Sequence, residues 1–198
     1  MSAIANPLIG QPGGWTLPSR GKVAMSCLII AESAIFTIFV VAYLYYLGKS
    51  VTGPTPKQVL ETPIFYTFCL LYSSFTIHRA AKLLERGRRI PFLAWWLLTI
   101  VLGGLFLFGT GQEWHRLIYE RGLTVSTNLF GTTYYSLVGL HASHLIAGLA
   151  MLVVVLSFAV RGRVDQEHSA RIQVLSMYWH FVDAVWVVVF IVVYVIGR

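Results

Sequence analysis

The sequence predicts an all-α, polytopic membrane protein, a bundle of five transmembrane helices with its amino terminus cytoplasmic and its carboxyl terminus outside. Three observations carry that prediction. The 198 residues are 57% hydrophobic and only 12% charged, with a mean hydropathy of +0.70, far more apolar than a soluble domain requires. A hydrocarbon layer about 30 Å thick takes roughly 20 apolar residues per helix. Five runs reach that length, at residues 23–47, 64–84, 92–117, 129–160 and 172–196. The basic residues, finally, are distributed unequally between the two ends of these runs.

The amino terminus and the second and fourth loops hold Arg20, Lys22, Arg79, Lys82, Arg86, Arg88, Arg89, Arg161, Arg163 and Arg171. The opposite side has Lys49, Lys57, Arg116, Arg121 and Arg198. Positive charge concentrates on the cytoplasmic side of membrane proteins, which sets the orientation. It also accounts for the net charge of +7 and removes the case for a nucleic-acid partner. Residues 1–21 read as a cytoplasmic arm punctuated by Pro7, Pro12, Gly13, Gly14 and Pro18, and residues 22–198 as one helical membrane domain. The arm is too polar and the following run too long for a cleaved signal peptide. With short connections, any chemistry lies within the membrane or belongs to a partner. Cys27 and Cys69 fall within apolar runs, show no metal or redox spacing and read as small hydrophobes.

The first helix contains Glu32, ten residues past Lys22, which places its carboxyl roughly 15 Å deep at 1.5 Å per residue. An acid at that depth costs on the order of 3 kcal/mol, so it faces protein, carries a proton or serves a proton- or lipid-related role. Phe39, Tyr43 and Tyr46 continue its face. Pro63 opens the second helix at its first turn, where Ser73, Ser74 and Thr76 read as small polar packing residues and His78 as interfacial. Trp95 and Trp96 follow at the expected cytoplasmic interface. Gly103, Gly104, Gly109 and Gly111 thin the third helix for close packing. At its outer end Glu113 is placed to pair with His115, Arg116 or a neighbouring helix, an ordinary surface ion pair being the plainest case.

The fourth helix carries GTTYYSLVGLHASHLIAG. Gly139, Ser143 and Ala147 recur every fourth position and offer one face for close helix approach. Tyr134, His141, His144 and Gly148, spaced by seven, three and four, form a stripe on another. In the fifth helix His180 and Asp183 are three apart, placed to meet each other or to clamp a shared partner, and Trp179 and Trp186 form an aromatic ridge. Glu32, Glu113, His141, His144, His180 and Asp183 are therefore the candidate buried polar residues, proton- or lipid-related. Neither a catalytic centre nor a metal site is expected: two histidines on one helix and one on another supply no two-by-two imidazole set and no Cys or carboxylate shell. A transporter would show repeats and broken helices that are absent from the pattern.

GTTYYSLVGLHASHLIAG and YWHFVDAVW together resemble subunit III of haem–copper terminal oxidases, in its short five-helix form. Ile29-Ile30-Ala31-Glu32-Ser33 and Gly111-Gln112-Glu113-Trp114 extend the resemblance from about Lys22 to Gly197. It implies an accessory, non-redox subunit of a proton-pumping oxygen reductase of aerobic respiration. Such a chain docks directly on catalytic subunit I, alongside subunit II, in a bacterial-type inner membrane. It binds phospholipid and sustains proton uptake and complex stability. Haem and copper then reside in subunit I, with no cofactor on this chain. Glu32 matches the family's carbodiimide-reactive intramembrane carboxylate, and His141, His144, His180 and Asp183 match its buried polar set. The two amino-terminal helices that complete a lipid cleft in the seven-helix form are absent. An accessory subunit of a nitric oxide reductase and an independent haem-binding membrane protein are the alternatives.

Overall fold

The computed structural model describes residues 19–50 and 53–197. Most of the arm expected over residues 1–21, and Arg198 of the charge pattern, lie outside the described residues. The elements are α1 (Arg20–Tyr46), α2 (Pro56–Val59), α3 (Ile64–Glu85), α4 (Arg89–Tyr119), α5 (Leu129–Val160) and α6 (Ser169–Phe190). A 3₁₀ turn, Gln166–His168, leads into α6, and a π-helical turn, Ile191–Ile196, continues from it. No strand occurs among the described residues. The short α2 was not expected; Pro56 opens it, and the Gln58 side chain accepts the N–H of Thr55 at 3.1 Å.

Local chemistry sets the helix ends. Ser19 caps α1 by accepting from the Lys22 N–H, and Asn128 caps α5 by accepting from the Gly131 N–H at 2.8 Å. At the other ends, Gly87 and Gly162 adopt φ of 69° and 80°. Those left-handed conformations let the Arg88 N–H reach the Leu83 carbonyl and the Arg163 N–H reach the Phe158 carbonyl, closing α3 and α5.

Four helices, α3 to α6, form a ring in which each packs on the next and α6 returns to α3. α1 packs chiefly against α5 and α6 and stays largely outside the core. Phe36 and Tyr43 are its buried residues, while Ile30 and Ile38 are 70% and 67% exposed. Apolar side chains so exposed on a long helix belong in hydrocarbon or against another chain. α1, α4, α5 and the stretch Gln166–Ile196 are long and apolar enough to cross a membrane. α3 is also long, about 33 Å at 1.5 Å per residue, but Ser73, Ser74, Thr76, His78 and Arg79 dilute its apolar character.

The interior corrects one expectation from the sequence. Trp96 is fully buried rather than interfacial, because its indole N–H donates to the Leu152 carbonyl of α5 at 3.0 Å. The glycines of α4 divide by face. A Cβ on Gly103 would stand 2.8 Å from the Trp179 ring, and one on Gly109 would stand 2.5 Å from the Tyr66 ring of α3; Gly104 and Gly111 face open space. Gly109→Ala is therefore expected to destabilise the fold by about 1–3 kcal/mol through overpacking. Gly104→Ala should be neutral or stabilising by up to about 1 kcal/mol, from helix propensity alone. Unfolding of the two purified variants in detergent checks both, and equal shifts would contradict the packing assignment.

Candidate functional site

The polar residues of the membrane core form three groups. In the first, half-buried Glu32 of α1 meets His144 of α5, with Oε2 3.1 Å from Nε2. The other ring nitrogen, Nδ1, lies 2.8 Å from the Leu140 carbonyl. A carbonyl only accepts, so Nδ1 carries a hydrogen and donates. A net-neutral pair then has one proton to share between Nε2 and the carboxyl. Phe36 covers the imidazole at a ring separation of 5.1 Å. Leu28, Ser143, Ala147 and Tyr178 complete a shallow pocket around the pair.

The second group joins α6 to α3. Ser74 Oγ lies 3.0 Å from His180 Nδ1 and donates to Asp183 Oδ2. His180 and Asp183 thus share Ser74, the clamped partner that their spacing allowed. His180 Nε2 faces Ser176 Oγ at 3.2 Å. Asp183 is 3% exposed, and its Oδ1 has no hydrogen-bond partner among the described residues. One turn before it, the Trp179 indole donates to Ser73 Oγ at 2.8 Å; one turn after, the Trp186 indole donates to Thr67 Oγ1 at 3.2 Å. α6 is therefore stitched to α3 along three turns.

The third group decides between the alternatives for Glu113: it is buried and partnered from a neighbouring helical segment, as its place among the buried polar candidates anticipated, and it makes no surface ion pair with Arg116. Its side chain is buried, and both carboxyl oxygens accept from the Tyr194 hydroxyl, at 3.0 and 2.9 Å. Tyr134 lies behind Tyr194, with 3.5 Å between hydroxyl oxygens. Arg116 instead pairs with exposed Glu61 at 2.7 Å. Tyr194 was missed, although it stands eleven residues after Asp183, three helical turns along one face. Ser74 was read only as packing, since nothing in α3 alone announces its partners on α6.

The expected stripe of Tyr134, His141, His144 and Gly148 splits between partners. His141 is 1% exposed, wedged against Trp186 and Phe106 at ring separations of 5.0 and 5.9 Å, and neither nitrogen has a partner among the described residues. Gly148 serves packing, since a Cβ there would stand 3.1 Å from Trp179. On the small-residue face, Gly139 borders Trp114, while Ser143 and Ala147 are exposed beside Leu28 and Glu32 of α1. No group of three His, Cys, Asp or Glu side chains among the described residues is placed to hold a metal. The nitrogens of His144 and His180 are already engaged within the chain.

Comparison with known proteins follows the same line. The family model for cytochrome c oxidase subunit III matches residues 20–198. Cytochrome c oxidase subunit 3 of Corynebacterium diphtheriae is 36% identical over 203 aligned residues, covering 98% of each chain. Its namesake from Alkalihalophilus pseudofirmus is 32% identical, covering 96% of this chain and 94% of its own. Cytochrome bo(3) ubiquinol oxidase subunit 3 of Pseudomonas aeruginosa is 34% identical over 85% of this chain and 81% of its own.

Burial and partnering distinguish Glu113 from Glu61 experimentally. Tyr194→Phe strips Glu113 of its hydroxyl donor inside the core and should lower stability by about 1–3 kcal/mol. Glu61→Gln breaks an exposed pair and should change stability by less than about 1 kcal/mol. Denaturant titration of both variants in detergent reads the difference, and a larger loss in Glu61→Gln would contradict the assignment.

Proposed function

The chain belongs to the cytochrome c oxidase subunit III family, and from that premise we propose that it is the accessory, non-redox subunit of a proton-pumping haem–copper oxygen reductase. The observation that carries the proposal is the near end-to-end match to chains named as oxidase subunit 3, for both cytochrome c and ubiquinol oxidases. In this role the chain docks directly on subunit I, beside subunit II, in a bacterial-type inner membrane. Oxygen reduction proceeds at haem and copper in subunit I, with electrons arriving through other chains. The chain itself contributes shape, polar contacts and bound phospholipid, and so sustains complex stability and proton uptake.

All five long helices cross the membrane in this proposal, with the amino terminus cytoplasmic and the carboxyl terminus outside. The basic residues at one set of helix ends support the orientation. The fifth crossing is α3, whose Ser73, Ser74 and Thr76 hydrogen-bond within the bundle rather than to water. The exposed positions of the Gly139, Ser143 and Ala147 face support close approach by a helix of another chain. Glu32 and His144 lie beside that face, lining the same pocket as Ser143 and Ala147. Their pairing supports a part in protonic or lipid contacts at the docking surface.

Gentle detergent purification through a tag on this chain tests the proposal. Subunit I should co-purify with its haem spectrum, and the chain stripped of it should be colourless. A solitary chain, or one that retains stoichiometric haem by itself, would overturn the reading. Within the complex, Glu32→Ala should leave haem per assembled complex unchanged while shortening sustained turnover, because the side chain is engaged by His144 of this chain and the haem is held by subunit I in this proposal. Loss of haem from the assembled complex would contradict that expectation.

A further inference from the structure

We infer that the chain contains a one-sided proton inlet: a water-accessible cavity at the membrane face bearing the α1 amino terminus, connected through His180 and Ser74 to Asp183, where the path stops. The inference rests on the membrane-spanning reading above, and the identity of the oxidase does not enter it. The cavity has a volume of about 300 Å³ and lies between α1, α3 and α6, room for several waters at about 30 Å³ each. Lys22, His78, Lys82, Glu85, Ser176 and His180 supply its polar lining. The first turn of α1 and the last residue of α3 place its mouth at the end of the bundle. The His78 ring stands 6.3 Å from that of His180. Asp183 lies ten residues along α6 from Gln173, another lining residue, or about 15 Å inward.

Hydrogen-bond polarity makes the cluster a relay. Ser74 has a single hydroxyl hydrogen, and it points to Asp183 Oδ2. Ser74 Oγ therefore accepts from His180 Nδ1–H, and His180 Nε2 accepts from Ser176. A proton delivered from cavity water to Ser176 Oγ, which lines the cavity, passes the Ser176 hydroxyl proton to Nε2, the Nδ1 proton to Ser74 Oγ and the Ser74 proton to Asp183 Oδ2. Every bond in the row then reverses: the Asp183 carboxyl donates to Ser74, Ser74 donates to Nδ1, and Nε2–H donates to Ser176. One proton has entered, one carboxylate has been neutralised, and no atom is displaced beyond a hydrogen-bond length. The reverse sequence discharges it to the same cavity.

Beyond Asp183 the row ends. Trp179 and Trp186, one turn to either side, commit their N–H groups to Ser73 and Thr67. An indole donates but does not accept, so neither can pass a proton on. The inlet therefore exchanges protons with one side of the membrane alone and is a reservoir rather than a channel.

Infrared spectroscopy of the tagged chain in sealed, oriented vesicles, with whatever subunits accompany it, tests this. Acid on the α1 amino-terminal side should raise a carboxyl band that is absent in Asp183→Asn, and acid on the other side should not. If Asp183→Asn fails to assemble, carbon-13 aspartate in this chain identifies the band, since Asp165 is the one other aspartate and is exposed. Ser74→Ala should slow hydrogen–deuterium exchange of the band by roughly a hundredfold, and Ser74→Thr, which keeps the hydroxyl, should restore it. Equal exchange in wild type and Ser74→Ala, or equal response to acid from both sides, overturns the inlet. Unaltered exchange in a preparation carrying haem and subunit I would do so while leaving the family-based function intact. Slowed exchange in a chain without oxidase would support the inlet and count against that function.

Discussion

The fully buried indole of Trp179 lies against Gly103 of α4 and Gly148 of α5 while its N–H donates to Ser73 of α3. One side chain of α6 thus touches every other helix of the ring. In water such an N–H could be satisfied by solvent. In hydrocarbon it has to find an acceptor inside the protein. The requirement fixes rotation and depth of α6 together, because turning or sliding the helix by one residue would strand the donor and drive the ring into backbone. The glycines matter here as absences: the space a Cβ would fill is the space the ring occupies.

Everything along α6 follows from that register. With Trp179 seated, Asp183 and Trp186 come round at successive turns toward α3, and Tyr194 arrives over Glu113 two turns later. Apolar contact alone would leave helices free to slide, since lipid tails are as apolar as leucine. The paired polar groups supply the discrimination. A displaced register exposes a carboxyl or an indole N–H to hydrocarbon, at a cost of several kcal/mol per unsatisfied group. His141 stands apart, with neither nitrogen partnered, so its place is held by ring packing against Trp186 and Phe106.

The helices were legible in the sequence because length and hydropathy are properties of single segments. Each long run recurs in the structure, its ends differing by up to three residues where caps and closing turns decide. Pairing was harder to read, because it depends on two segments. Glu113 had His115, Arg116 and a neighbouring helix open to it as partners, and its sequence neighbourhood could not choose among them; the fold turns Glu113 inward to Tyr194 and Arg116 outward to Glu61. Trp96 read as an interfacial residue from its position near a helix start, yet an acceptor carbonyl on α5 draws it inside. The stripe from Tyr134 to Gly148 lies on one helix as the spacing required. Its members diverge because α1, α4 and α6 all press on α5, and each takes a different part of that face. Ser74 was the least legible, a serine between apolar neighbours whose role exists only once α6 is beside it.

The two kinds of intramembrane acid then differ in a way that bears on assembly. Glu113 and Asp183 are closed inside the bundle and pin its register before any partner arrives. Glu32 is only half-buried and pairs with His144 of α5. Because Nδ1 of that histidine is committed to Leu140, the pair can stay neutral overall with one proton between its members. A neutral, internally bonded pair can face lipid at much lower cost than a lone carboxylate. It also sits beside Ser143 and Ala147, where the small side chains leave room for another backbone to approach. The chain can thus fold within the membrane before a partner arrives, with Glu32 already satisfied by His144, and present that acid to a docking helix without first exposing a charge.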